Sequence, residues 1–134
     1  MKETAITAKL VKKLNAIPRC FARKRHGGAF SSGDPDIQVC YKGLTILIEV
    51  KVLVGELSEL QAVMMQRWQD AGAVCILAVW DAEQKAFAMF LDKTWKEYAG
   101  KVKPRVLDIH SGKYFNVREG MYEEMLDGIK EHHG

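Results

Sequence analysis

The chain has 134 residues, 48% hydrophobic and 28% charged, with a formal net charge of +3. That length suits one domain spanning 1–134 with a core that needs no staples, and the mix is that of a globular chain, not a disordered or fibrous one. A charge of +3 does not by itself announce nucleic acid, and no apolar run nears membrane-spanning length. With no hydrophobic signal region at the start, the expectation is a cytoplasmic protein without a membrane partner.

In chain order, Ile6, Leu10 and Leu14 recur every four residues, which predicts an amphipathic helix over Glu3–Asn15 that stops before Pro18. Arg19 to His26 reads as a strand with Cys20 and Ala22 among cations. Lys9, Lys12, Lys13, Arg19, Arg23, Lys24, Arg25 and His26 make the first fifth of the chain basic, a distribution that suits a phosphate backbone or, more plainly, a solvated helix face and an edge strand. Residues 27–34 form a glycine-rich connector that delivers the chain into Pro35-Asp36.

Pro35–Tyr41 and Leu44–Lys51 flank Lys42-Gly43, a two-residue hairpin turn. In that register Tyr41 faces Leu44, Val39 faces Ile46, and Asp36 lands opposite Glu49. Opposed residues share a sheet face with Cβ atoms roughly 4.5–5.5 Å apart. Lys51 follows Glu49 by two and points to the same face. Ile37, Val39, Tyr41, Leu44, Ile46, Ile48 and Val50 fall on the other, core face, which leaves Asp36, Glu49 and Lys51 on a non-core face. Two acids converging beside a lysine can hold a hard divalent cation and position a water for attack on a phosphodiester. The plainer reading is a surface strand pair in which one acid offsets Lys51, although directly opposed acids are unfavourable without a cation.

Leu57 to Ala71 reads as a helix with Leu57, Leu60, Met64, Trp68 and Ala71 on its buried side, ended by Gly72. Ala73–Trp80 is a nearly continuous apolar run, expected as a strand buried on both faces and paired in parallel with Leu44–Lys51 through the helical crossover. Lys85–Leu91 reads as a strand, Lys93–Ala99 as a short helix, and the stretch from Val106 as strand pieces before a helix near Met121–Glu131. Trp95 and Tyr98 are read as core residues, with dimer contact as the other role. Cys20, Cys40 and Cys75 have no metal spacing and are expected to be buried, reduced thiols. Neither Ser31 nor Ser32 lies in a serine-hydrolase motif, and His132-His133 is weak evidence for metal.

The ordered set Lys24-Arg-His-Gly-Gly28, Gly33-Asp-Pro-Asp-Ile37, Ile48-Glu-Val-Lys51 and Leu57-Ser-Glu-Leu-Gln61, with Tyr41-Lys-Gly43 and Asp70-Ala-Gly-Ala73, resembles the PD-(D/E)xK nuclease superfamily. Within it, the closest resemblance is to a stand-alone virus-type replication-repair nuclease (VRR-NUC) domain. It covers roughly residues 1–80, with 81–134 as a completion or extension. The resemblance implies an α/β, restriction-endonuclease-like core, a mixed sheet flanked by helices, and a metal-dependent nuclease. Asp36 and Glu49 would ligate Mg²⁺ or Mn²⁺, assisted by the Val50 carbonyl and by Glu3 on the first helix. Lys51 would act on the attacking water, and Gln61 would sit beside it. Arg23, Lys24, Arg25 and His26 would contact nucleic acid. Two of these residues keep local alternatives: Ser58-Glu-Leu-Gln61 also fits a capping box, and Glu3 also suits a helix N-terminus. The implied substrate is DNA, structured or branched, cut by a homodimer. The alternatives are a catalytically weak binding module of the same fold and a phosphodiesterase for RNA or nucleotides.

Overall fold

A computed structural model of the chain describes residues 2–25, 33–52, 57–91, 95–98 and 115–133. It contains helix α1 (Glu3–Asn15), strands β1 (Cys20–Lys24), β2 (Ile37–Tyr41) and β3 (Leu44–Val52), helix α2 (Glu59–Asp70), strands β4 (Val74–Asp81) and β5 (Ala86–Leu91), a 3₁₀ turn (Trp95–Tyr98), β6 (Phe115–Arg118) and helix α3 (Tyr122–His133). The six strands lie side by side in sequence order. Each neighbouring pair is antiparallel except β3 and β4, which α2 connects and which run parallel. A short turn can only reverse a strand, and the helical crossover through α2 is where the parallel pairing arises. The predicted mixed α/β sheet is therefore the architecture found.

The hairpin has the register expected: Tyr41 pairs with Leu44, Val39 with Ile46 and Ile37 with Ile48. Lys42 (φ 48°) and Gly43 (φ 86°) both take left-handed backbone, as a type I′ turn requires. The cost of this conformation for a lysine is partly offset outside the hairpin. Lys42 Nζ lies 3.5 Å from Asp127 Oδ1 on α3 and 5.0 Å from the Tyr41 ring centre, and the Tyr41 hydroxyl donates to the same Asp127 carboxylate.

Helices cover both faces of the sheet. Ile6, Leu10 and Leu14 of α1 and Met125, Leu126 and Ile129 of α3 pack on one face, against the set predicted to be core. On the other, Ala62 and Met65 of α2, together with Trp95, cover Leu47, Leu77, Val79 and Phe90. The face assigned to Asp36, Glu49 and Lys51 is thus not a non-core face. It is a second core, and Glu49 is only 1% exposed within it. Trp95 is buried, with its indole N–H donating to Gln69 Oε1 at 2.9 Å; the Tyr98 side chain lies outside the described residues.

Two further expectations are corrected. The inward face of α2 is formed by Ala62 and Met65, whereas Leu60 is 49% exposed and Ala71 is exposed. The cap at Ser58 starts the helix two residues after Leu57 and turns Gln61 inward, which rotates Leu60 away from the sheet. Among the thiols, only Cys75 is buried; Cys20 is half-buried and Cys40 exposed. Cys40 sits on the outward side of β2 opposite Phe21, itself 63% exposed on the edge strand β1. That edge is partly closed by Asn15, whose side-chain amide accepts from the Ala22 N–H (2.7 Å) and donates to the Ala22 carbonyl (2.9 Å), taking the place of a neighbouring strand.

Candidate active site

Backbone pairing between β2 and β3 ends at Ile37–Ile48, and the next step of the register puts Asp36 opposite Glu49. There Asp36 is held by its own side chain, since Oδ2 accepts the Val50 N–H at 2.8 Å and continues the ladder by one rung. The Asp36 carbonyl accepts from the Arg25 N–H at 2.7 Å, which ties the segment to the end of β1.

Glu49 projects under α2. Its Oε1 accepts from Gln61 Nε2 at 2.7 Å and lies 3.8 Å from Lys51 Nζ, whereas Oε2 is buried with no hydrogen-bond partner. Burial, then the nearby Asp36 charge, push the Glu49 carboxyl up to about 9 against the opposing pull of Lys51. Without a cation, Glu49 therefore holds its proton at neutral pH despite its lysine neighbour. Glu3 reaches the same region from the first turn of α1. Its carboxyl is raised by partial burial and by Asp36, and lowered by Lys51 and by a hydrogen bond from the Val52 N–H.

Gln61 holds both roles that its spacing allowed. Its backbone N–H donates to Ser58 Oγ (3.1 Å) and its Oε1 accepts the Ser58 N–H (2.9 Å), completing the capping box, while Nε2 is left for Glu49. Asp36, Glu49, Lys51 and Gln61 thus come together, with Glu3 at their margin. The Val50 N–H serves Asp36, and its side chain points into the α1 core.

The basic residues divide. Arg23 and Lys24 are exposed on the edge strand. Arg25 is engaged within the chain: its guanidinium lies 3.4 Å from Asp34 Oδ2, 3.4 Å from Gln38 Oε1 and 5.3 Å from the Trp68 ring centre. It clamps the approach to Asp36 against α2. No local spacing signals such a contact, because Trp68 comes from a helix three elements later. His26 lies outside the described residues.

Among the described residues, no three His, Cys, Asp or Glu side chains are already drawn together as a ligand cage. Two hard oxygen donors nevertheless face one another, and the orphaned Glu49 Oε2 is the kind of atom that a cation would satisfy. The residues therefore fit a hard divalent ion that two carboxylates hold and that solvent or substrate completes.

No protein-family model matches this chain, and no curated protein matches it. Among solved structures it is similar to Archaeoglobus fulgidus Hjc, a Holliday junction resolvase from an archaeal hyperthermophile, with a TM-score of 0.53 over 90% of this chain and 89% of that one. What the two share is the fold. Sequence identity is 19%, so the likeness extends to the restriction-endonuclease-like α/β architecture and stops there. It does reach past Trp80, where the motifs ended: β5 and β6 extend the same sheet.

Proposed function

We propose that this chain is a divalent-metal-dependent endonuclease that hydrolyses phosphodiester bonds in structured or branched DNA. The observation that carries the reading is the facing pair Asp36 and Glu49, with a buried, unpartnered Glu49 oxygen and Lys51 alongside. Likeness of fold to a Holliday junction resolvase supports branched DNA as the substrate class. The narrower resemblance to VRR-NUC domains, a homodimeric assembly and Mg²⁺ or Mn²⁺ as the ion belong to the same proposal.

A divalent cation bound by Asp36 and Glu49 would supply Lewis-acid polarisation of the scissile phosphate and a more acidic water. The chain's residues do the remainder. Gln61 and the Val50 N–H fix the two carboxylates in orientation, so little reorganisation is needed when substrate arrives. Lys51 places an ammonium beside Glu49, where it can hydrogen-bond the attacking water and offset charge on the phosphoryl oxygens. Glu3, whose carboxyl accepts from the Val52 N–H, lies within electrostatic reach of both Lys51 and Asp36 and borders the site.

The test is cleavage of a labelled panel of linear, forked, flapped and four-way DNA, together with RNA, in Mn²⁺ or Mg²⁺. Wild type should cut at least one DNA, and Asp36→Ala and Lys51→Ala should lower the rate by about 10²–10³-fold, as loss of a charge-stabilising group does. If no substrate is cut while the variants bind DNA like wild type, the chain is a binding module of this fold. Cleavage confined to RNA would make it a ribonuclease using the same groups.

A further inference from the structure

On the sheet face opposite α2 lies a groove of about 540 Å³ between α1, the β4–β5 turn and the start of α3. This is within the range of sites that hold a small ligand or a nucleotide-sized group. Its wall carries Trp80, half-buried, backed by Phe87 with ring centres 4.9 Å apart, and Tyr122. Around the rim stand Lys9 and Lys85, both exposed, and Lys13, which is paired to Glu119. Lys85 takes left-handed backbone (φ 52°) at a turn position where glycine or asparagine is the unstrained choice. A cation is therefore presented to the groove at a conformational cost.

The groove opens at the catalytic end of the sheet. Trp80 pairs across the parallel ladder with Val52, the residue after Lys51, whose N–H holds Glu3. Ile6, one turn beyond Glu3 on α1, lines the groove. A half-buried indole with exposed lysines on either side, at the same end of the sheet as the carboxylates but on its other face, has the composition of a platform for unpaired nucleotides. Bases stack on the ring and the backbone is followed by cations. The bases of a duplex are paired and stacked within it and cannot lie on Trp80, whereas those of a single strand can.

We propose that this groove binds a single-stranded nucleic-acid segment leading away from the catalytic carboxylates, with a base stacked on Trp80 and phosphates met by Lys9 and Lys85. The inference rests on the nuclease reading for the identity of its ligand, yet binding can be measured without cleavage.

The experiment is fluorescence anisotropy of a fluorescein-labelled oligothymidylate in EDTA, using the full chain. Trp80→Ala and Lys85→Glu should each weaken binding about tenfold, and Trp80→Phe should retain most of it. Lys85 is an exposed rim residue, so its variant tests the groove even if Trp80→Ala folds poorly. Blunt duplex of equal length should compete poorly. Cleavage by wild type is read in parallel, so loss of the nuclease reading (no DNA cut) and loss of the groove (no effect of Lys85→Glu on binding) are seen separately. If Lys85→Glu and Trp80→Ala both bind like wild type, the groove is not the site. Equal competition by blunt duplex would also overturn the proposal.

Discussion

Gln61 divides its side-chain amide between a helix cap and a buried acid: the oxygen accepts the Ser58 N–H, and the nitrogen donates to Glu49 Oε1 at 2.7 Å. The start of α2 and the orientation of Glu49 are therefore mechanically one unit. Anything that unwinds the first turn of α2 also releases the carboxylate. Substitutions can separate the two functions because glutamate completes a capping box but cannot donate to Glu49.

Gln61→Glu keeps the cap but sets a second carboxyl against buried Glu49, and Gln61→Ala loses the cap and the donor together, so each should lose about 1 kcal/mol or more of stability. Both should lower cleavage. Paired thermal melts and single-turnover rates check this; if Gln61→Glu cleaves like wild type, the amide nitrogen has no part in the chemistry.

The raised Glu49 carboxyl sets a pH dependence. The folded chain holds a proton on Glu49 up to about pH 9, while the unfolded chain releases it near the ordinary value of 4.5. Across that window the native state binds more protons, so stability falls as pH rises from about 4.5 to about 9 in the absence of divalent ions. Glu49→Gln, which stays neutral and keeps an oxygen for Gln61, should flatten that slope and be more stable than wild type at pH 8 by an amount on the order of 1–3 kcal/mol. Urea titrations in EDTA at pH 5, 6.5 and 8 measure it, and parallel slopes for the two proteins would refute the assignment.

Binding a cation should reverse that penalty. Mn²⁺ or Mg²⁺ must displace the Glu49 proton, so the metal-induced rise in Tm should be larger at pH 8 than at pH 6 and accompanied by proton release. Asp36→Asn should lose most of the rise. Calorimetry in two buffers of different ionisation enthalpy reads the proton count directly, and an unchanged count of zero would argue against Glu49 as a ligand.

Gly33 tests how the approach to Asp36 is held. It has φ +83°, and a Cβ there would lie 2.6 Å from Leu60 Cγ and 3.3 Å from the Leu60 carbonyl oxygen. Gly33→Ala should destabilise by about 1–3 kcal/mol through left-handed strain and this clash. It should also lower cleavage, because Asp34 and Asp36 follow directly. Adding Leu60→Ala should recover part of the stability and none of the left-handed strain. Full recovery in the double variant would mean the backbone conformation costs nothing.

The parts of this site that could be read from the chain are local in origin. The positions of Tyr41, Val39 and Ile37 opposite Leu44, Ile46 and Ile48 follow from the two-residue turn and the period-two alternation, both of which act over neighbouring residues. The capping box at Ser58–Gln61 is equally local. Misreadings arose where a remote element decides. Leu60 looked inward by spacing, but the cap sets the phase of α2 and leaves it against Gly33. Arg25, expected to contact nucleic acid, also meets Asp34, Gln38 and Trp68, and its spacing announced no contact with Trp68. Cys40 looked buried because strand residues of its kind usually are, yet among the described residues no helix covers the outward side of the β1–β2 edge.

From the sequence, a two-residue turn and the alternation put Asp36 opposite Glu49 beside Lys51, in the register that buries Ile37, Val39, Tyr41, Leu44, Ile46, Ile48 and Val50. Tertiary structure decided how those groups behave. Only the packing of α2 and the Trp95 turn over the second face makes Glu49 a buried acid with an unpartnered oxygen. That packing joins residues far apart in the chain. Desolvation depends on everything within several ångströms of a carboxylate, and no spacing along a strand encodes it.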